Sequence, residues 1–282
     1  MAKNSIIIAS LNPNLFTTKR LFDESLKLKR SPIYLNPYQY LIPQSKTKLQ
    51  GTYFHRTTGT NYDDFDLVVS KHHEAHGMKI TNPLERLKTF RSKDLQSIFF
   101  IEHDLPGISS ILYRGEMQEN IKNQIAKLSK NENYILKMNR GNQGIGVNFL
   151  EGQKSLHSVL ETFHAIKDQR FIIQPYIEHT KEWRLFMIKG EVYACIEKTI
   201  GKDDFRGNAK RSDGKNLKKV PKELEAIAVN AFNASGLNYE GLDLLQSTKG
   251  EFFILEINPV PGFEQAEKLS GKNIARELVS LL

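Results

Sequence analysis

The chain opens on a short apolar run, Ser5-Ile-Ile-Ile-Ala-Ser10, which reads as a buried first strand and is too short for a secretory leader. Thr17–Lys29 has helical spacing, and the apolar segment Asp66–Ser70 reads as a further strand. Strands alternating with helices over residues 1–84 predict a small N-terminal α/β domain, punctuated by Asn82-Pro83. The pattern then changes. Leu95–His103 and Glu116–Lys130 read as helices, Ile111–Tyr113, Tyr134–Met138, Val147–Leu150 and Phe171–Gln174 as strands, and Ser155–Lys167 as a helix. Strands joined by a glycine-rich turn and backed by helices predict an α+β unit over residues 85–174. A third unit, residues 175–282, starts at Pro175 with strands Trp183–Ile188 and Glu191–Glu197 around a Lys189-Gly190 turn. Leu224, Ile227, Ala228, Ala231 and Phe232 then recur at helical spacing, closed by Gly236 as a C-cap. A hairpin turning near Ser247–Gly250 and a last helix over Asn273–Leu282 complete it. The fold class is α/β (α+β), without internal repeats.

Composition narrows the setting. With 282 residues, 39% hydrophobic and 26% charged, the chain can bury two or three small cores and is not a disordered sequence. No window approaches the ~18 apolar residues of a membrane-spanning helix, so no membrane partner is expected. Cys195 is the only cysteine, which excludes an intrachain disulfide and makes a reducing cytoplasm the expected location. Its apolar setting, Val192-Tyr-Ala-Cys-Ile196, marks it as buried filler rather than a nucleophile. The net charge of +8 favours acidic partners such as nucleotide phosphates. No nucleic-acid motif with interleaved aromatics accompanies it. Phe205–Lys222 holds seven Lys or Arg against one acid, Asp213, and reads either as a solvated loop or as a flap closing over phosphates.

Three segments carry chemistry. Asp243, in Gly-Leu-Asp-Leu-Leu, and Glu256 and Asn258, in Phe-Phe-Ile-Leu-Glu-Ile-Asn, fall on the two arms of the hairpin. Strand alternation puts Glu256 and Asn258 on one face, and the turn brings Asp243 beside them. Two carboxylates and an amide are the oxygen set of a hard divalent cation, although solvent-facing residues on an amphipathic hairpin would look alike. Lys137 runs into Gly141, Gly144 and Gly146; such a loop can turn backbone N–H groups toward an anion, or be a plain hairpin turn. It is neither a Walker A loop nor a dinucleotide fingerprint. Phe171-Ile-Ile-Gln174-Pro-Tyr176-Ile177-Glu178 leaves the second unit through a proline. Free backbone groups after the strand suit an adenine edge and the carboxylate suits ribose hydroxyls, as an interdomain linker would also allow. Arg184, Arg206 and Asn208 add forked donors for phosphate or carboxylate. Lys71-His-His-Glu-Ala-His76 lacks zinc-site spacing and reads as a loop after a strand.

Taken in order, these segments resemble the ATP-grasp superfamily, and within it the RimK-like glutamate ligases, from about Asn82 to the end of the chain. Ser92-Lys93-Asp94 and Lys137 resemble the two nucleotide lysines, Gly141–Val147 the phosphate-covering loop, and Gln174–Ile177 the adenine hinge. Phe205-Arg206-x-Asn208, Gly241-Leu-Asp243 and Glu256-Ile-Asn258 with Pro261-Gly262 resemble the family's remaining signatures. Two departures stand out: Glu182-Trp-Arg184 replaces Asp-x-Arg, and Lys210-Arg-Ser-Asp-Gly214 replaces a basic-Gly-Gly segment that helps hold the acceptor. The resemblance implies an N-terminal α/β domain and two α+β subdomains clasping ATP. It implies an ATP-dependent carboxylate–amine ligase working through an acyl phosphate, with glutamate as one possible added amino acid. Asp243, Glu256 and Asn258 would hold Mg²⁺ or Mn²⁺. Lys93, Lys137, Gly141, Gly144, Gly146, Gln174, Tyr176, Ile177 and Glu178 would bind ATP, and Arg206, Arg184 and Asn208 would stabilise the transferring groups. The partners are then ATP, a small acid or a peptide or protein C-terminus, and an amine; relatives commonly form homo-oligomers. A kinase on the same platform and a non-enzymatic nucleotide or nucleic-acid binder are the competing readings.

Overall fold

The structure is a computed structural model that describes residues 5–43, 48–59, 61, 63–114, 119–141, 144–165, 170–199 and 214–281. Strands β1 (Ser5–Ala9), β2 (Ser31–Leu35), β3 (Thr52–His55) and β4 (Lys79–Ile80) form a parallel sheet in the order β2-β1-β3-β4. Helices α1 (Phe16–Lys27) and α2 (Phe65–Ala75) connect them. β1 and β3 are buried along their whole length, the signature of central strands covered on both faces. Pro32 lies in β2, where an edge strand tolerates the missing donor.

Asp66–Ser70, expected as a strand, belongs to α2. Its buried residues Asp66, Val69, Ser70 and His73 recur at helical spacing, so burial on one helix face overrides the strand preference of the Val-Val pair. The His72–His76 segment, expected as a loop, forms the end of the same helix. His73 packs between Tyr40 and Tyr53, and His73 and His76 bond carbonyls of their own helix.

α3 (Leu84–Phe90) and α4 (Lys93–Glu102) come next. The second sheet, antiparallel in the order β5-β8-β6-β7, comprises β5 (Ile111–Tyr113), β6 (Asn133–Met138), β7 (Val147–Glu151) and β8 (Phe171–Pro175). Its apolar face packs on α5 (Glu119–Leu128) and α6 (Gly152–Ala165) through Ile125, Tyr134, Leu136, Leu150, Leu156 and Ile173. The third sheet, also antiparallel, runs β11-β10-β9-β12-β13, with β9 (His179–Ile188), β10 (Glu191–Thr199), β11 (Gly214–Asn216), β12 (Tyr239–Ser247) and β13 (Phe252–Asn258). α7 (Lys222–Ser235) covers one face and ends on Gly236, whose φ of 65° satisfies the expected cap. α8 (Glu264–Ser270) and α9 (Ile274–Ser280) close the chain.

Two cores tie the sheets together. Phe90, Phe99 and Phe100 of α3 and α4 insert into the third sheet's core with Trp183, Leu185 and Leu242, so this stretch crosses the third sheet before entering the second. Ile6, Ile8 and Phe54 of the parallel sheet share another core with Phe186, Ile188, Phe263 and Leu278. Cys195 is buried in the first of these, and burial pushes its thiol up to about 12, which fits filler.

Glu240 is the exception to this apolar order. It sits on β12 opposite Met187, fully buried, and neither carboxyl oxygen meets a hydrogen-bond partner. Burial raises its carboxyl from 4.5 to about 7; Ser235, whose hydroxyl donates to Phe232 O, offsets this only in part. A raised folded-state value means that stability is fully present below 4.5 and declines as pH rises to about 7. Above that the cost is about 3 kcal/mol at ~1.36 kcal/mol per pH unit. Glu240→Gln is therefore expected to raise the Tm at pH 8 and to lose most of that advantage at pH 5. An equal Tm difference at the two pH values would contradict the assignment.

Candidate active site

The third sheet sorts its side chains by chemistry. Trp183, Leu185, Leu242, Leu244, Ile254 and Ile257 face the core that α3, α4 and α7 cover. Glu182 and Arg184 on β9, Lys198 on β10, Asp243 on β12, and Glu256 and Asn258 on β13 occupy the alternate positions and share the opposite face. A bulge makes this possible on β13. Asp243 pairs with Glu256 but Leu244 pairs with Ile254, so Leu255 is the extra residue and both flanking isoleucines stay in the core. Gly241 lies opposite Asn258, and a Cβ there would come within 2.8 Å of Pro261.

Arg184 and Asp243 form a forked pair across β9 and β12: Nε donates to Oδ1 at 2.7 Å and Nη2 to Oδ2 at 2.5 Å. Burial works against the guanidinium charge, but Asp243, then Glu256 and Glu182, hold it firmly protonated. His179 Nε2 lies 3.2 Å from Glu182 Oε1. Burial lowers the Lys198 amine, with Asp243 and Glu182 opposing and Arg184 assisting.

Across the cleft stands the second sheet's polar face. Tyr134 and Leu136 point to the helices, so Ile135 and Lys137 point away, beside their register partners Gln174 and Ile172. Burial lowers the Lys137 amine to about 8, Lys93 adds like-charge repulsion, and Glu256 and Glu182 oppose both. Lys93 opens α4 and donates from Nζ to Gly141 O at 3.3 Å; its backbone N–H donates to Asn139 O. The glycine segment is the tip of the β6–β7 hairpin. A Cβ at Gly141 would approach Ile145 O to 2.6 Å, and Gly144 and Gly146 have φ of 74° and 78°, so the tip needs its glycines. Gln174 Nε2 donates to Ser110 Oγ at 2.8 Å, whereas its buried Oε1 has no partner. The segment beyond, expected to carry free backbone groups, instead has Tyr176 N–H, Ile177 O and Glu178 O engaged and is anchored on both sides. Tyr176 N–H donates to Asn133 O, Thr248 N–H donates to Glu178 O, and Phe149 packs edge-on against Tyr176 at 4.9 Å. Glu178 is exposed.

Lys93, Gly141, Glu256 and Asn258 line one cavity, together with Thr57, Thr58, Arg91 and Gln96. The last four carry no motif. Gln96 accepts from Ile257 N–H at 2.9 Å and donates to Phe90 O, fixing β13 between its two polar residues. Asn82 and Arg56 donate to Pro259 O and Pro261 O, each at 2.8 Å, and hold the loop after Asn258. Glu182 and Lys198 were likewise outside the expected site set. Arg206 and Asn208 lie outside the described residues.

The residues present fit a divalent cation. Asp243 and Glu256 face each other in register, and Asn258 follows on the same face. Asp243 accepts from Arg184, and Asn258 Oδ1 from Val260 N–H at 2.9 Å; carboxylate and amide oxygens keep a further lone pair. Among the described residues no three His, Cys, Asp or Glu side chains group together as a metal site. The His72–His76 segment is therefore not such a group.

Comparison with known proteins agrees with this fold. A family profile described as the RimK-like ATP-grasp domain matches residues 101–282. A probable alpha-L-glutamate ligase of Parasynechococcus marenigrum is 28% identical over 97% of this chain, which spans 61% of that relative's length. One of Syntrophotalea carbinolica is 25% identical, over 98% of this chain and 94% of its own. The RimK domain ATP-grasp protein of Sphaerobacter thermophilus superposes with a TM-score of 0.78, at 14% identity and 99% coverage of both chains. The ATP-grasp ligase PsnB, complexed with a minimal precursor, Mg and ADP, superposes with a TM-score of 0.72, at 15% identity, over 100% of this chain and 96% of its own. With a charged cleft between two antiparallel sheets and a profile match over well over half its length, this chain belongs to the RimK-like ATP-grasp family of ATP-dependent carboxylate–amine ligases.

Proposed function

We propose that the cleft joins a carboxylate to an amine through an acyl phosphate, with L-glutamate as the amine. The support is one observation above all: Arg184, Asp243, Glu256 and Asn258 share a sheet face opposite Lys137 and the glycine tip. The choice of glutamate follows the relatives named probable alpha-L-glutamate ligases, and a peptide acceptor follows PsnB, which was complexed with a precursor.

In this reading a carboxylate oxygen of the acid attacks the γ-phosphorus of ATP. The bond from the bridging oxygen to the γ-phosphorus breaks, and ADP leaves. The deprotonated amine then attacks the acyl carbon, the carbon–oxygen bond to phosphate breaks, and inorganic phosphate departs. Overall an ammonium, a carboxylate and ATP give an amide, ADP, phosphate and one proton. Positioning and charge stabilisation carry the rate, and no side-chain nucleophile is required.

Lys93 and Lys137 neutralise the phosphates, while Gly141, Gly144 and Gly146 let the backbone approach them. Gln174 Oε1 is a buried acceptor for a donor such as the adenine amino group, Tyr176 and Ile177 frame the base, and Glu178 reaches the ribose hydroxyls. Asp243, Glu256 and Asn258 would hold Mg²⁺, or Mn²⁺, which seeks the same hard oxygens. When bound, the cation supplies charge neutralisation between the phosphates. Arg184 orients Asp243 through its fork and faces the transferring phosphoryl group; Arg206 and Asn208 take the matching roles on the resemblance alone. The domain limits 1–84, 85–174 and 175–282 and a reducing cytoplasm complete the proposal.

Glu256→Ala is expected to abolish phosphate release from ATP and Mg²⁺ in the presence of L-glutamate and pooled acids, with the Tm retained. Full activity in that variant would refute the metal assignment, and ADP formed without phosphate in the wild type would favour a kinase. A second expectation concerns pH. Lys137 is charged below about 8 and neutral above, so ATP affinity should fall as pH rises through that value in the wild type. Lys137→Arg, charged throughout, should flatten the slope. Calorimetric ATP titrations at pH 6.5 and 9 decide this, and equal slopes in both proteins would refute it.

A further inference from the structure

The stem of the glycine tip is held from outside its own sheet. Arg140 directly precedes Gly141, and its guanidinium grips Asp64, at the start of α2, through Nη1 to Oδ1 at 2.7 Å and Nη2 to Oδ2 at 2.8 Å. Arg91, between α3 and α4, donates to the same Oδ1 at 2.9 Å and to both oxygens of Asp66. Behind them Asp66 accepts from the Thr57 hydroxyl, and His55 Nε2 lies 3.1 Å from Arg91 Nη2. Three parts of the chain meet here: the β3–α2 loop, the α3–α4 junction and the tip of the second sheet.

This network is built, not incidental. The Arg91 and Arg140 side chains are 3% and 8% exposed and the Asp64 side chain 30%, so two buried cations meet a half-buried carboxylate that water screens only in part. Burial opposes the Asp64 charge, but the two guanidinium groups hold its carboxyl below the usual range. Asp64 also sits at φ 56°, a left-handed conformation that Asp and Asn tolerate better than other side chains. On the far side of the stem, Asn139 Oδ1 accepts from Asp94 N–H, and Asp94 pairs with Arg170. Thr57 and Thr58 of the loop that leads to Asp64 line the same cavity as Gly141, Lys93 and Glu256.

We propose that Asp64 is a positioning residue for nucleotide binding: its fork with Arg140 locks the stem of the glycine tip to the β3–α2 loop. The proposal rests on reading residues 141–146 as a phosphate-covering segment. A stem fixed beforehand spares the ordering that binding would otherwise demand.

The test is a double-mutant cycle on affinity for a non-hydrolysable ATP analogue with Mg²⁺, using the full chain. Asp64→Asn keeps the left-handed backbone and the side-chain shape but removes the charge. Arg140→Gln removes the fork, and Arg140→Lys keeps the charge without it. Each should weaken analogue binding about tenfold, and Asp64→Asn with Arg140→Gln should be no weaker than either alone. Arg20→Gln, which breaks the tie of α1 to α8 and α9, serves as the control. It should lower the Tm and leave the analogue affinity unchanged. Wild-type affinity in Asp64→Asn, or additive losses in the double variant, would overturn the lock alone. Absence of analogue binding in the wild type would overturn the nucleotide reading, and the lock with it.

Discussion

One extra residue on β13 sets the character of the cleft. Without the bulge at Leu255, strict alternation from Ile254 would carry Glu256 into the core shared with α3, α4 and α7 and push Ile257 out. With it, Ile254 and Ile257 both stay buried, and Glu256 and Asn258 meet Asp243 on the polar face. The hydrophobic core and the charged face are thus one constraint, because the residues that fill this core fix where the oxygens go.

The cleft then sets opposite charges against one another. Asp243 is buried and meets the Arg184 fork; Arg184 keeps its charge against Asp243, Glu256 and Glu182. Lys137 is the weak member, since burial and Lys93 act against its charge while the carboxylates opposite support it. A polyanion placed between these faces would strengthen every cation it touches. Glu240 is the counterexample on the same strand, a carboxyl turned toward the core with no cation to meet it.

The parallel sheet is not an appendage to this arrangement. It shares a core with the third sheet, its Arg56 holds the loop after Asn258, and its β3–α2 loop reaches the glycine tip through Asp64. Elements far apart in the chain therefore fix one another's position at the cleft by a few buried polar bonds.

The sequence by itself determined the features that local periodicity and turn chemistry control. It marked β1, the hairpin of Asp243, Glu256 and Asn258, the lysine leading into glycines, and the Gly236 cap, because each needs only neighbouring residues to be recognised. The motif order sufficed for the family. It misread Asp66–Ser70, where a Val-Val pair looks like a strand until its partners show which face is buried. Only the tertiary structure decided which polar groups meet. Arg184 with Asp243, Gln96 with Ile257, and Arg140 with Asp64 are separated by 59, 161 and 76 residues, and no spacing rule announces such pairs. Sheet pairing and helix packing bring them together, and burial then makes each pairing obligatory.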